Sequence, residues 1–379
     1  MDAQNAPSAN KPVRNPSLDV LRITAFFLVV SHHFAYASDF IDLPVGGKKM
    51  LVMTVVRTVT VCCVPLFIML TGYLQTNKKP CAAYYRGIVR PAATYVLACG
   101  ICLAYKVICY DYSANPLSLI LRILDFSASD YGWYMEMYFG LFLMIPFLNA
   151  AYHAVKSQKQ KLLLVASFLI LTALPGILNT LKFTDISWWA MPSADKSYNK
   201  LMPGWWTGMY PVTYYFIGSY LREYPLKLKK RTNIILLGLS VMLIGLYNFY
   251  RLRGGTFFYG AFLTNASLFV AVVSVLIFVF IAERDMRSLP PFAVRALKLV
   301  SGWTLAAYLV SQIFDVQLYR ILKNAVPVIE NLVYYAPVMV ISVFVCSLAV
   351  GGATDGIYRM LSAAASAVQK KLAKQAKEP

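Results

Sequence analysis

The stretch Ser17–Phe34, SLDVLRITAFFLVVSHHF, holds three side chains suited to chemistry inside an otherwise apolar run: Arg22, His32 and His33. Arg22 and His33 lie eleven positions apart, roughly three helical turns, so both project from one face about 16 Å apart along the axis. Histidine titrates near neutrality and can take a proton from a hydroxyl. A guanidinium stabilises developing negative charge or grips phosphate. In a membrane span such residues are costly and rarely face lipid, so the pair predicts a site. Three further segments carry ionisable groups of the same kind: Arg57, Glu136 in DYGWYMEMYFG, and Asp315 with Gln312 one turn before it.

The elements that must position them follow from composition. Of 379 residues 59% are hydrophobic and 14% charged, with mean hydropathy +0.57. Soluble domains sit nearer 45–50% apolar and about 25% charged. The apolar residues fall in runs of about 20, the length that crosses a bilayer core. The chain reads as an all-α, polytopic transmembrane bundle of about ten spans, approximately 17–36, 51–75, 88–109, 131–150, 161–180, 205–222, 232–250, 256–282, 297–319 and 332–351. Residues 1–16 read as a disordered tail, 17–361 as one membrane domain and 362–379 as a basic tail. Basic residues precede the first span as in a signal peptide, but its internal arginine and histidines and the spans after it mark a retained helix.

The net charge of +19 is not a nucleic-acid footprint, because it is distributed by topology. The tails and loops 77–90, 152–161, 222–231 and 283–298 hold 23 of the 36 Lys and Arg residues, against nine in the alternate loops. That bias places both termini in the cytoplasm, consistent with an even number of crossings. Of seven cysteines, Cys99 and Cys102 form a lone CxxC within an apolar helix and read as packing residues, with no metal site. Trp188, Trp189, Trp205 and Trp206 read as interfacial anchors or as a stacking surface for sugar rings.

With orientation assigned, depth follows from 1.5 Å of rise per residue. Asp19 and Arg22 lie near the cytoplasmic face. His33, Arg57, Glu136 and the Gln312/Asp315 pair reach one level in the outer half of the membrane. A structural network is one reading, with Arg57 paired to Glu136. The other is acyl transfer to an alcohol: His33 as base or acyl carrier, Glu136 or Asp315 orienting it, and Arg57 stabilising the oxyanion. His32, about 100° round the helix, reads as a packing or supporting residue. His153 falls in a loop and is given no role. Arg86 and Arg90, spaced i, i+4, would share a face suited to phosphate. With Arg22 they would hold an anionic donor at the cytoplasmic mouth, its reactive end threaded toward His33.

LDVLRITAFFLVVSHHF resembles the opening signature of the acyltransferase-3 family, an arginine and a histidine separated by ten residues, here Arg22 and His33. RTVTVCCVPLFIMLTGYL is similar to the family's second-helix pattern, with Thr71 in place of serine. WYMEMYFGLFLMIPFL resembles its fourth-helix motif, and YYFIGSYL and SGWTLAAYLVSQ are similar to later helices. The resemblance implies transfer of an acyl group, usually acetyl from acetyl-CoA, to a hydroxyl of a cell-surface polysaccharide or lipid-linked glycan. It implies essential roles for Arg22 and His33, with Arg57, Arg86 and Arg90 supporting. The protein would sit in the bacterial inner membrane, among lipids and glycan-assembly partners. One departure stands out: the late Tyr-Leu-x-His of many members reads Tyr308-Leu309-Val310-Ser311 here. The rival readings are a transporter or flippase for a lipid-linked or anionic glycan, with the same polar cluster as its substrate site, and a structural subunit.

Overall fold

The computed structural model describes residues 15–110, 112, 115–192, 198–257, 264–286 and 288–375. The expected disordered tail lies outside the described residues except for Asn15 and Pro16, as do the last four residues of the basic tail. The architecture is all-α. Among the described residues the only β pairing is a single bridge between Pro44 and Thr256.

Eleven main helices follow in order: α1 Pro16–Ala37, α2 Gly47–Thr60, α3 Cys63–Gln75, α4 Val89–Tyr110, α5 Trp133–Ala154, α6 Gln158–Thr172, α7 Tyr210–Glu223, α8 Lys230–Leu252, α9 Leu268–Ala282, α10 Pro291–Ala325 and α11 Ala336–Gln375. Among the described residues eight stretches are long and apolar enough to cross a membrane, so this is a multi-pass membrane protein. Two of the ten expected spans do not reach that length: α7 has 14 residues and α9 has 15.

Local sequence accounts for the helix ends and breaks. α1 starts where the Asn15 side chain accepts from the Ser17 N–H at 3.1 Å, with Pro16 in the first turn. The expected continuous second span is split into α2 and α3 at Val61–Cys62. Pro65 explains the split, since its ring clashes with the carbonyl four residues earlier, that of Val61. In α5, Pro146 likewise removes the N–H that would bond the Phe142 carbonyl. The Tyr84 hydroxyl takes that place at 2.6 Å while its ring stacks on Phe142.

Packing is closest between α3 and α7. A Cβ on Gly72 would lie 2.1 Å from the Tyr215 carbonyl oxygen, and one on Gly218 2.0 Å from that of Met69. The two helices therefore touch backbone to backbone, as small residues permit in membranes. Asn149 of α5 caps the end of α3, donating to the Gln75 and Lys78 carbonyls at 2.8 Å each. His153, which the sequence left without a role, bonds the Thr76 carbonyl at 2.8 Å. In the first turn of α6, Lys161 is clamped to Glu223 at the end of α7 at 2.6 Å.

Gly218→Val forces α3 and α7 apart and should cost about 3 kcal/mol or more, read as a lost thermal transition or aggregation of the detergent-solubilised protein. A variant that melts like the wild type would contradict this contact.

Candidate active site

α10 is the spine on which the site is built. Asp315, 2% exposed, sits two-thirds of the way along this 35-residue helix. Its Oδ2 lies 3.7 Å from His33 Nδ1 and accepts the Tyr131 hydroxyl at 2.6 Å. The Tyr131 ring stacks on the His33 imidazole, with centroids 4.0 Å apart. Among the described residues neither His33 Nδ1 nor Asp315 Oδ1 has a hydrogen-bond partner, and the nearby Tyr319 hydroxyl has none there either. Buried polar atoms left in this state mark a place where a polar reactant is received.

Tyr131 belongs to the short segment before α5, and that segment is fastened to α10 residue by residue. Ser129 donates to the Leu309 carbonyl at 2.9 Å, and Tyr308 donates to the Tyr131 carbonyl at 2.7 Å. The Asp130 N–H donates to Gln312 Oε1 at 2.9 Å while Gln312 Nε2 donates back to the Asp130 carboxylate. Lys106 of α4 pairs with the same carboxylate at 3.1 Å. Upstream, Phe126 has a left-handed backbone (φ 61°), and a Cβ on Gly132 would meet its carbonyl oxygen at 2.1 Å. The turn thus requires glycine at 132 to aim Tyr131 at His33.

Two cavities flank this cluster. One, of about 180 Å³, begins at Arg22, Gln75 and Pro91 and rises past Phe67 and Leu70 to Val29, Tyr134 and Tyr308. The other, of about 410 Å³, is lined by Tyr36, Asp39, Tyr131, Gln312, Asp315 and Lys323. Val29 lies one turn below His33, and Tyr308 two turns below Asp315. His33 therefore stands at the level where the cavities approach one another. Lys323 holds Asp39 at 2.7 Å on the wall of the larger one.

At the far end, Arg22 approaches Asp19 at 3.9 Å and donates to the Ser301 hydroxyl at 3.4 Å, which itself donates to Asp19 at 2.5 Å. Its side chain remains 30% exposed along the smaller cavity. Arg90 is committed to Asp355 of α11 at 3.0 Å, and Arg359 takes the other carboxylate oxygen at 2.7 Å. A 3₁₀ turn, Arg86–Ile88, interrupts the helix between Arg86 and Arg90, so the regular i, i+4 face expected there is not formed. Arg86 is exposed and Pro91 lines the smaller cavity, which keeps this segment at its mouth.

The expected convergence is thus halved: His33 and Asp315 meet, whereas Glu136 and Arg57 do not join them. Glu136 is exposed in the first turn of α5, where a carboxylate is favoured by the helix dipole. Arg57 is buried and does not pair with Glu136. It donates to the Phe257 carbonyl, lies 4.9 Å over the Phe257 ring and interacts with Tyr36. His32 meets the Thr60 hydroxyl at 3.3 Å, one turn beyond Arg57, as a supporting residue would. Ser311, in the position of the family's late histidine, bonds its own helix at the Tyr308 carbonyl. Trp188 is buried 4.1 Å beneath the Arg251 guanidinium and is no stacking surface, whereas Trp205 is 90% exposed. Three residues before Trp188, hydrogen bonds from Ser187 hold the Asp185 carboxyl below its ordinary range. Among the described residues no three His, Cys, Asp or Glu side chains are placed to hold a metal ion. Sequence reading missed Tyr131 and Tyr308. The polar Asp130-Tyr131-Gly132 turn directly before an apolar span was the available signal.

An all-helical membrane bundle with a histidine–carboxylate pair between two cavities defines a multi-pass membrane protein with one concentrated polar centre. A family profile described as an acyltransferase domain matches residues 15–351. The chain therefore belongs to the acyltransferase-3 family and is an acyltransferase. No curated protein and no solved structure matches it.

Asp315→Asn should lower turnover about tenfold to a hundredfold, while Glu136→Gln stays within about twofold, both measured as acyl transfer in membranes carrying equal amounts of protein. Loss of activity in Glu136→Gln with none in Asp315→Asn would reverse this assignment.

Proposed function

We propose that this protein is an O-acyltransferase moving an acetyl group from cytoplasmic acetyl-CoA to a hydroxyl of a cell-surface polysaccharide or lipid-linked glycan, in the inner membrane of a bacterium. The observation that carries the reading is His33 paired with Asp315 and Tyr131 on the wall of a wider polar cavity, one turn above Val29 on the wall of a narrow cavity that begins at Arg22. The excess of Lys and Arg in the tails and alternate loops supports cytoplasmic termini and puts the Arg22 end inside. On that orientation the short helices α7 and α9 complete ten crossings, locally thinned or extended by flanking loops.

The donor's phosphates would meet Arg22 and Arg86 at the cytoplasmic mouth, with Arg90 joining when it leaves Asp355. Guanidinium groups suit that contact because they bind phosphate in bidentate fashion. The pantetheine arm would follow the apolar wall of Phe67 and Leu70 toward Val29. A volume of about 180 Å³ suits a short acyl chain on such an arm. The acceptor hydroxyl would enter from the wider cavity, whose carboxylates, Gln312 and tyrosines match a polyol.

With Nδ1 turned to Asp315, His33 offers Nε2 to the hydroxyl. The nitrogen takes the hydroxyl proton as oxygen attacks the thioester carbonyl carbon. The C–S bond then breaks, and the imidazolium returns the proton to the departing CoA sulfur. Asp315 steadies the charged ring, as a carboxylate does behind any catalytic histidine. Arg57, held on Phe257, does not supply the oxyanion contact in this arrangement.

In vesicles supplied with radiolabelled acetyl-CoA, His33→Ala should reduce label transfer to glycan at least about a hundredfold. Arg22→Ala should chiefly raise KM for acetyl-CoA, and inverted vesicles should accept the donor where right-side-out vesicles do not. Undiminished transfer by His33→Ala would remove the catalytic assignment.

A further inference from the structure

Tyr131 stands where the two cavities would otherwise join. They share no lining residue: Tyr308 belongs to the smaller one and Tyr131 to the larger, their rings stacked 5.9 Å apart. Tyr131 also stacks on His33 and gives its hydroxyl to the carboxylate that faces His33. Residues 129, 130 and 131 are each tied to α10 within one turn, at Leu309, Gln312 and Tyr308. So many fastenings on so short a segment hold one ring in one plane, the condition for a preorganised site.

We propose that Tyr131 has two tasks: it is the positioning residue that keeps Asp315 turned to His33 Nδ1, and it is the partition that withholds water from the thioester. The proposal rests on the reading of His33 as the base. Its hydroxyl occupies Asp315 Oδ2 from one side, so the carboxylate cannot swing away from the imidazole. Its ring, held in place, narrows the passage between the wide cavity and the narrow one, so that an acceptor hydroxyl seated in the wide cavity reaches His33 while free water is held back. A thioester beside an activated histidine hydrolyses if water arrives first: water adds to the carbonyl carbon, the C–S bond breaks, and acid and CoA thiol leave. Excluding water is the standard protection against that loss.

The two tasks separate by substitution. Tyr131→Phe keeps the ring and removes the hydroxyl; Tyr131→Ala removes both. Label transfer from acetyl-CoA to endogenous glycan is measured in membranes, and release of CoA thiol from acetyl-CoA is measured on the purified full chain without acceptor. Tyr131→Phe should lower kcat for transfer about tenfold, leave KM for acetyl-CoA within about twofold, and leave thiol release no higher than in the wild type. Tyr131→Ala should lower transfer further and raise acceptor-independent thiol release several-fold above the wild type. A merely structural role would depress both readings together. Wild-type turnover in Tyr131→Phe overturns the positioning role, and thiol release in folded Tyr131→Ala at or below the wild-type rate overturns the partition. If the alanine variant does not fold, the split between kcat and KM in the phenylalanine variant decides the proposal. His33→Ala run alongside tells the two readings apart: inactive, it leaves His33 as the base whatever Tyr131 does; active, it removes both.

Discussion

A carboxylate inside an apolar helix is tolerated only with partners, and the arrangement around Asp315 follows from that one requirement. Lipid and apolar side chains offer it no hydrogen bonds, so these must come from other polar side chains. Tyr131 supplies one to Oδ2, and the His33 ring faces the same oxygen across 3.7 Å. To bring those groups to one point, α1, the segment before α5 and α10 must be in fixed register. Every hydrogen bond from residues 129–131 to α10 contributes to that register. Asp39 extends the same logic to the cavity wall. Its left-handed backbone ends α1 one turn beyond His33 and turns its carboxylate to Lys323 of α10.

α10 carries this constraint from one end of the bundle to the other. Thirty-five residues of helix span about 52 Å, enough to cross a bilayer and reach past it. Near its start Ser301 receives Arg22 and binds Asp19; at its middle Tyr308 closes the smaller cavity; further on come Gln312, Asp315 and Lys323. The charged groups at the two ends differ in character. Those around Arg22 are cations satisfied by carboxylates that a phosphate could replace. Those around Asp315 are mixed, carboxylates and hydroxyls with Arg320 and Lys323 on the same cavity wall, a lining that suits a polyol. On the proposed function, one helix would connect a surface for the donor's phosphates with a chamber for the acceptor hydroxyl.

Much of this was readable from residue order, and the failures have a common cause. Hydropathy runs located the helices, because a run of about 20 apolar residues has few alternatives. Residue type singled out Arg22, His33 and Asp315, of which the last two approach within 3.7 Å. Depth alone does not say which way a side chain points. Glu136 lies on an exposed face of α5, where its helix's own N-terminus stabilises it, and Arg57 turns to the Phe257 carbonyl. Arg86 and Arg90 were read as one helical face, but the 3₁₀ turn between them and Asp355, more than 260 residues later, are tertiary facts. Tyr131 was missed for the same reason. Its one local signal was the Asp130-Tyr131-Gly132 turn before an apolar span, which sets it apart from the other 25 tyrosines only once α10 is placed beside it.

The central claim is that donor and acceptor meet at His33 from opposite cavities. An electron cryomicroscopy map of the full chain with bound CoA tests it most directly. The account predicts phosphate density against Arg22 and Arg86, with the thiol sulfur near Val29 and Tyr308, on the Arg22 side of the His33 ring. A thiol located in the Asp315 cavity, or between α7 and the lipid, would contradict it.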